Sequence, residues 1–387
     1  NRAGLSMTTL TWIALALFLA AYVAISTEIA HKTIVALLGA ALFILAGILS
    51  GSEAFAFIDW NVIFLLIGMM IIVNITRHTG LFQYIAIKAA KLARGEPILI
   101  LLLLSVITAV ISAFLDNVTT IMIIAPVTIL IAVELGISPL PFLISGAIAS
   151  NIGGTATLIG DPPNIMIGSA AGLSFLDFLV NLAPAILIIL AVFSLMAFLL
   201  FRKALRVPAT RKARIMSFDE RQAIENRPLL VKSLVVLTLV IAGFLLHGLL
   251  KVEASTVALF GSTLLMLLSD RHEVEAVFRE IEWGTIFFFI GLFILVGGLV
   301  KLGLIKLIAG FLNDLLTEAG YDVRLVHTGQ DALDRLDAAG QDEIDLVLLD
   351  VMLPDVDGYT VCRRLRSAPR TERLLIIMVT GRDKPSE

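Results

Sequence analysis

Residues 149–168 read ASNIGGTATLIGDPPNIMIG, and they lie in a chain apolar enough to be embedded in a membrane. This stretch cannot be one uninterrupted helix. Gly153 and Gly154 loosen the backbone, and Pro162 and Pro163 break the hydrogen-bond ladder. Asn151, Thr155, Thr157, Asp161 and Asn164 put polar groups where lipid penalises them. Irregular, polar backbone at membrane depth persists only where protein buries it or an aqueous cavity meets it. The segment therefore reads as a discontinuous helix at a solute site. A loop between two helices is the plainer alternative. The long apolar flanks and a second polar break upstream favour the site.

The 387 residues are 58% hydrophobic and 16% charged, with a mean hydropathy of +0.98. Soluble domains do not have this composition; multi-spanning membrane proteins do. The single cysteine, Cys362, excludes an intramolecular disulfide framework and a cysteine-rich metal site. The formal charge of −3 hides an asymmetry. Residues 312–387 carry 9 Lys+Arg against 15 Asp+Glu, and the rest of the chain carries 20 against 17. The first residue is Asn1, and Met7 is a candidate start. The apolar run Leu10–Ile25 lacks a clear small-x-small cleavage site, so it reads as the first membrane helix.

Three spans are expected first, at about 8–25, 33–50 and 60–76. Gly80–Arg94 is amphipathic and suits a helix at the membrane interface. From Pro97 a long apolar stretch is interrupted at Asp116-Asn117-Val118-Thr119-Thr120 and resumes to about Val133. Two half-length arms around a polar tip suggest a re-entrant hairpin; a full span with one polar turn is the alternative. A span at about 180–201 follows the broken helix. The linker 202–228 holds eight Lys and Arg residues, which places it in the cytoplasm. Further spans are expected at about 229–250, 254–269 and 283–299. Across the linker runs an internal repeat. The segment from Ile58 to Gly68 matches that from Ile281 to Gly291 at an offset of 223, and Val35–Gly39 matches Val257–Gly261 at 222. The copies start on opposite sides of the membrane, so they are inverted, a mark of secondary transporters that bind solute near the midplane.

The motifs LDNVTT at 115–120 and SNIGGTATLIGDPPN at 150–164 carry a resemblance. Residues 7–311 resemble the arsenite-efflux and NhaD-type permeases of the ion transporter superfamily, which also includes the melanosomal P protein and the dicarboxylate/citrate carriers. The resemblance implies a mainly α-helical polytopic membrane protein with inverted repeats, a re-entrant hairpin and a broken helix. It assigns Asp116, Asn117, Thr119 and Thr120 to a hairpin tip. It assigns Asn151, Gly153, Gly154, Thr155, Thr157, Asp161 and Asn164 to an unwound segment, tip and segment together forming half of a binding site. Threonine hydroxyls, asparagine amides and amides at half-helix N-termini suit an oxyanion or a hydroxyl-rich solute. Asp116 and Asp161 are costly in lipid and are expected to face the cavity, where they can take H⁺ or Na⁺. Arsenite or another anion is the first substrate expected, and Na⁺/H⁺ exchange the second. Implied surroundings are the lipid bilayer of a bacterial inner membrane, a homodimer, an energising ATPase and no nucleic acid. No nucleophile–base pair or metal cluster stands out, so neither an enzyme nor a resident cofactor is expected. The domain reading is a first repeat at 1–201, the linker at 202–228, a shortened second repeat at 229–311 and a separate tail at 312–387.

That tail has soluble βα alternation: strands at about 322–326, 346–349 and 375–379, and helices at about 329–337 and 358–366. With LVLLDVMLPDVDGY at its centre it resembles a response-regulator receiver domain, here a small α/β fragment. The resemblance makes Asp350 the phospho-acceptor, Thr380 the hydroxyl that senses the phosphoryl group, Mg²⁺ the required ion and a sensor kinase the partner. The acidic pair that helps hold Mg²⁺ and the family's later lysine have no counterparts in this sequence. The expectation is a junction near 311/312 between a shortened permease, transporting poorly by itself, and a receiver fragment. A membrane-anchored signalling protein using Asp350 is the rival reading. Incubation with a small phosphodonor is expected to leave the chain unlabelled. Label that appears and is lost on Asp350→Ala would establish the signalling reading instead.

Overall fold

The computed structural model describes residues 9–303 except 172, 251 and 270. In the tail it describes 317–318, 320–324, 326, 328–338, 344–350, 356, 358–368, 371 and 374–379. The membrane part is helical: α1 Thr9–Ser26, α2 Lys32–Leu45, α3 Gly51–Ala56, α4 Trp60–Arg77, α5 Leu81–Leu92, α6 Pro97–Ser112, α7 Asn117–Leu135, α8 Leu140–Gly154, α9 Pro162–Ala171 and α10 Phe175–Phe201. After the linker helix α11 Ala209–Met216 come α12 Arg227–Leu250, α13 Ala254–Leu268, α14 Arg271–Glu280 and α15 Trp283–Lys301. Among the described residues six helices are long and apolar enough to cross a membrane: α1, α4, α7, α10, α12 and α15. Their burial separates two roles. Helix α4 is 72% buried and serves as a core, whereas α1 and α10 are 17% buried and leave most of their side chains on the outside.

Two compact units emerge, residues 60–286 and the remainder. Each is assembled from both repeats, and the same contacts recur in each. In the first unit α4 packs on α13, where a Cβ on Gly68 would lie 2.8 Å from the carbonyl carbon of Ala258. In the other, a Cβ on Gly291 of α15 would lie 2.6 Å from the carbonyl carbon of Ala36 in α2. Gly68 and Gly291 are repeat counterparts, and so are Ala36 and Ala258. A second pair repeats the exchange: Gly261 approaches Ile72, and Gly39 approaches Leu295. Small residues let helix backbones come this close where no hydrophobic effect drives them together. The ends of the two spans are treated alike. Arg77 pairs with Glu280 at 2.8 Å, and Lys301 with Glu53 at 2.7 Å. Lys301, with the Ser50 backbone and hydroxyl, holds the Glu53 carboxyl down at about 2. The repeat read from the sequence is thus present as contacts.

Helices α6 and α7 form a hairpin whose two feet stand on consecutive linker residues. Lys212 pairs with Glu96 at the start of α6, and Arg211 Nη1 donates to the carbonyls of Leu135 (3.1 Å) and Gly136 (2.8 Å) at the end of α7. The chain therefore enters and leaves on the linker side. The arms correct the half-length expectation: 16 and 19 residues reach about 24 and 28 Å at 1.5 Å per residue. The linker is also more than a spacer. Ile215 of α11 is fully buried, and Lys91 of α5 reaches Phe218 O (3.0 Å) and Glu220 (2.5 Å). Helix α5 packs through Phe82, Ala86, Ala89 and Ala90.

In the tail, β1 Leu346–Asp350 and β2 Leu375–Val379 pair in parallel, Leu346 opposite Leu375 and Asp350 opposite Val379. Helices α16 Gly329–Ala338 and α17 Gly358–Ser367 cover them, with Leu333, Leu349, Val361 and Leu365 buried. The strand expected at 322–326 is not formed at the described positions 322–324 and 326. A strand exists only by pairing, and among the described residues β1 and β2 pair only with each other. Gly68→Val should force α4 off α13 and cost about 1–3 kcal/mol, read as a lower melting temperature in detergent. Gly51→Ala, with nothing within 4 Å of the added carbon, should leave melting unchanged.

Candidate functional site

Two interruptions of helix meet in the unit 60–286. One is the hairpin tip, residues 113–116 between α6 and α7; the other is the break 155–161 between α8 and α9. Each leaves carbonyl and amide groups without helical partners; Ser150 and Thr157 serve the tip and the start of α7, and Thr157 and Asn164 serve the break itself. The Thr157 hydroxyl donates to Ala113 O. The Ser150 hydroxyl donates to Asn117 O at 2.9 Å and lies 3.0 Å from the Ser112 hydroxyl. The Asn117 amide donates to Asn151 Oδ1 at 2.8 Å. Inside the break, Gly160 N–H donates to Thr157 Oγ1 at 3.2 Å. The Asn164 amide nitrogen reaches three carbonyls, Thr157 at 2.9 Å and Gly154 and Thr155 at 3.3 Å each. Two hydrogens serve three acceptors, so one bond is shared.

The interruption lies later than the sequence reading placed it. Asn151, Gly153 and Gly154 remain in α8, and unwinding begins at Thr155. The glycines serve close approach: a Cβ on Gly153 would lie 2.0 Å from Ala109 O, and one on Gly154 2.8 Å from Gly160 O. Asn117, Thr119 and Thr120 likewise form the first turn of α7, immediately past the tip. Thr120 is fully buried, and its hydroxyl has no partner among the described residues.

The charges are all of one sign. Asp116 caps α7, accepting the Thr119 N–H at 2.8 Å. Asp161 is part-buried and lies within electrostatic reach of Asp116, and its carboxylate receives no hydrogen bond from any described residue. Among the described residues no Lys, Arg or His pairs with either carboxylate. Pro162 and Pro163 remove two of the N–H groups a helix N-terminus normally offers an anion. The next two, of Asn164 and Ile165, are turned onto Asp161 O. A cavity of about 20 Å³, room for one water, is lined by Leu66, Met69, Phe114, Asp116, Ile159 and Ile165. Carboxylates, hydroxyls and backbone carbonyls without a basic side chain form a donor set for a hard cation or a proton.

Three residues at this junction escaped the sequence reading. Ser112 and Ser150 are hydroxyl links between the interruptions; the signal was their place beside LDNVTT and at the head of SNIGG. The third is Glu282, whose Oε1 accepts from Thr119 Oγ1 at 3.3 Å. Its signal was an acid kept beside the repeated tryptophan. In the tail, Asp350 ends β1 as expected; its side chain and Thr380 lie outside the described residues.

The profile of the citrate transporter family matches residues 22–326. The chain belongs to that family. A response regulator receiver domain profile matches residues 305–387, overlapping the first match over 305–326. An uncharacterized transporter of Mycobacterium tuberculosis is 46% identical over 308 residues, covering 78% of this chain and 71% of the relative. The 46 kDa membrane protein of Mycobacterium leprae is 46% identical over 301 residues, 77% of this chain and 70% of that protein. The P protein of Homo sapiens is 32% identical over 377 residues, 78% of this chain and 45% of that protein. Members of this family are membrane proteins of transporter type, and P protein falls among the relatives as its place in the superfamily implied.

Asn164→Ala should remove the amide that closes the break and leave carbonyls bare. At about 1 kcal/mol per hydrogen bond the loss is about 2–3 kcal/mol, seen as a lower melting temperature. Ser150→Ala should cost about 1 kcal/mol.

Proposed function

We propose that the chain is a secondary transporter of a small inorganic ion, and that the junction of the hairpin tip with the α8–α9 break takes a cation, H⁺ or Na⁺. The observation that carries this reading is the pair Asp116 and Asp161, with no basic partner among the described residues and with proline at the first two positions of α9. A carboxylate held in a membrane without a cation is costly. A bound proton or Na⁺ removes that cost at each turnover. The sequence favoured an oxyanion such as arsenite; the spent N-terminus of α9 weighs toward the cation. Among the described residues no three His, Cys, Asp or Glu side chains converge as a metal cluster. Na⁺ would therefore draw on hydroxyl and carbonyl oxygens of Thr155–Asp161 beside the carboxylates. The family name makes citrate one anion to offer as co-substrate, and arsenite is another.

In proteoliposomes, Asp161→Asn and Asp116→Asn should each lower Na⁺- or H⁺-driven flux at least about tenfold, the effect of losing roughly 1.4 kcal/mol at one ion contact. Flux unchanged by Asn151→Ala, Thr155→Ala and Asp161→Asn together would dismiss the site. Arsenite or citrate uptake that survives both Asp→Asn variants would restore the anion to first place.

A further inference from the structure

We infer that Glu282 is a positioning residue: from the second repeat it tethers the tip of the first repeat's hairpin and so sets the geometry of the cation site. Glu282 stands immediately before α15, part-buried, and its two carboxylate oxygens serve different elements. Oε2 accepts the Thr285 hydroxyl at 3.1 Å within its own helix start. Oε1 accepts the Thr119 hydroxyl at 3.3 Å, across 163 residues of sequence. Thr119 is only 9% exposed and is bound at both polar ends, its N–H to Asp116 and its hydroxyl to Glu282. The residue that Asp116 caps is thus the residue that Glu282 holds.

A plain structural role for Glu282 would end at α15, whose first turn already has the Thr285 hydroxyl on Oε2 and the Thr285 and Ile286 N–H groups on the Glu282 carbonyl. The bond to Thr119 does nothing for α15. It fixes the first turn of α7, and with it the direction in which Asp116 presents its free oxygen. The repeat gives the same position an acid in the other copy, Asp59, itself 4% exposed. Holding the tip from a different element pre-organises it before any ion arrives.

This inference rests on the cation reading, and hydrogen exchange across residues 113–120 of the detergent-purified full chain, in NaCl and in choline chloride, separates the two. Glu282→Ala and Thr119→Val should each speed exchange about tenfold in choline. The double variant should be no faster than either alone. Glu282→Gln, which keeps an acceptor oxygen, should fall between wild type and Glu282→Ala. In NaCl, wild type should slow further, and the Na⁺ concentration for half protection should rise about tenfold in Glu282→Ala. Glu280→Ala, which breaks the Arg77 pair two residues away, should leave that concentration unchanged. Exchange unaltered by Glu282→Ala, or effects that add in the double variant, would overturn the tether even where Na⁺ protects wild type. Faster exchange in Glu282→Ala with no Na⁺ protection in wild type would keep the tether and remove the cation from the site.

Discussion

Backbone amides and carbonyls inside a membrane have no water to bond, so a helix that stops there must find partners for the groups it leaves open. The 60–286 unit is arranged around that requirement. It contains two such stops, placed so that side chains around the second complete the first. Thr157 serves the hairpin tip; Ser150 serves the first residue after it; Asn164 serves three carbonyls of its own break. Short polar side chains do this work because they bring one or two directed bonds with little bulk. The glycines matter for the same reason. Gly153 and Gly154 let α6 and the break lie close enough to α8 for those short side chains to reach.

What is left once these groups are satisfied is the chemically informative part. The carbonyls and hydroxyls are largely engaged, the α9 amides are missing or turned inward, and two carboxylates remain within reach of each other. The function proposed follows from that residue of unspent chemistry more than from the apolar framework, which any polytopic protein shares. Glu282 adds a third acid to the same neighbourhood, though it arrives from the other repeat.

Much of this was legible in the sequence, and the parts that were not have physical reasons. The spans α1, α4, α10, α12 and α15 were readable because apolar length is imposed by the bilayer, whereas those expected at 33–50 and 254–269 are helices of only 14 and 15 residues. The repeat was readable because acid-Trp and Gly spacing survived in both copies, and Trp60 and Trp283 both open helices. Which helix packs on which was hidden. Helices α4 and α1 are about equally apolar, yet 72% of one and 17% of the other is buried, so apolarity does not tell protein-facing from outward-facing surface. Gly153 and Gly154 were misjudged because glycine serves loosening and close packing equally well, and only the neighbour at Ala109 decides between them. Arg211 and Lys212 were read for the side of the membrane they imply, whereas their second role, gripping both feet of the hairpin, needed the fold. The tail strand at 322–326 has suitable residues, but composition could not supply a partner.

The crosswise pairing of helices has a consequence in time. Helix α2 leaves the ribosome long before α15, the helix whose Gly291 it receives. At about 5–20 residues per second the wait is roughly 10–50 s. Throughout that interval the surface around Ala36 and Gly39 is open in the bilayer, available to lipid or to other nascent helices. A protein woven this way cannot mature before α15 is made, and its early helices depend on whatever chaperones a bare helix face until that helix arrives.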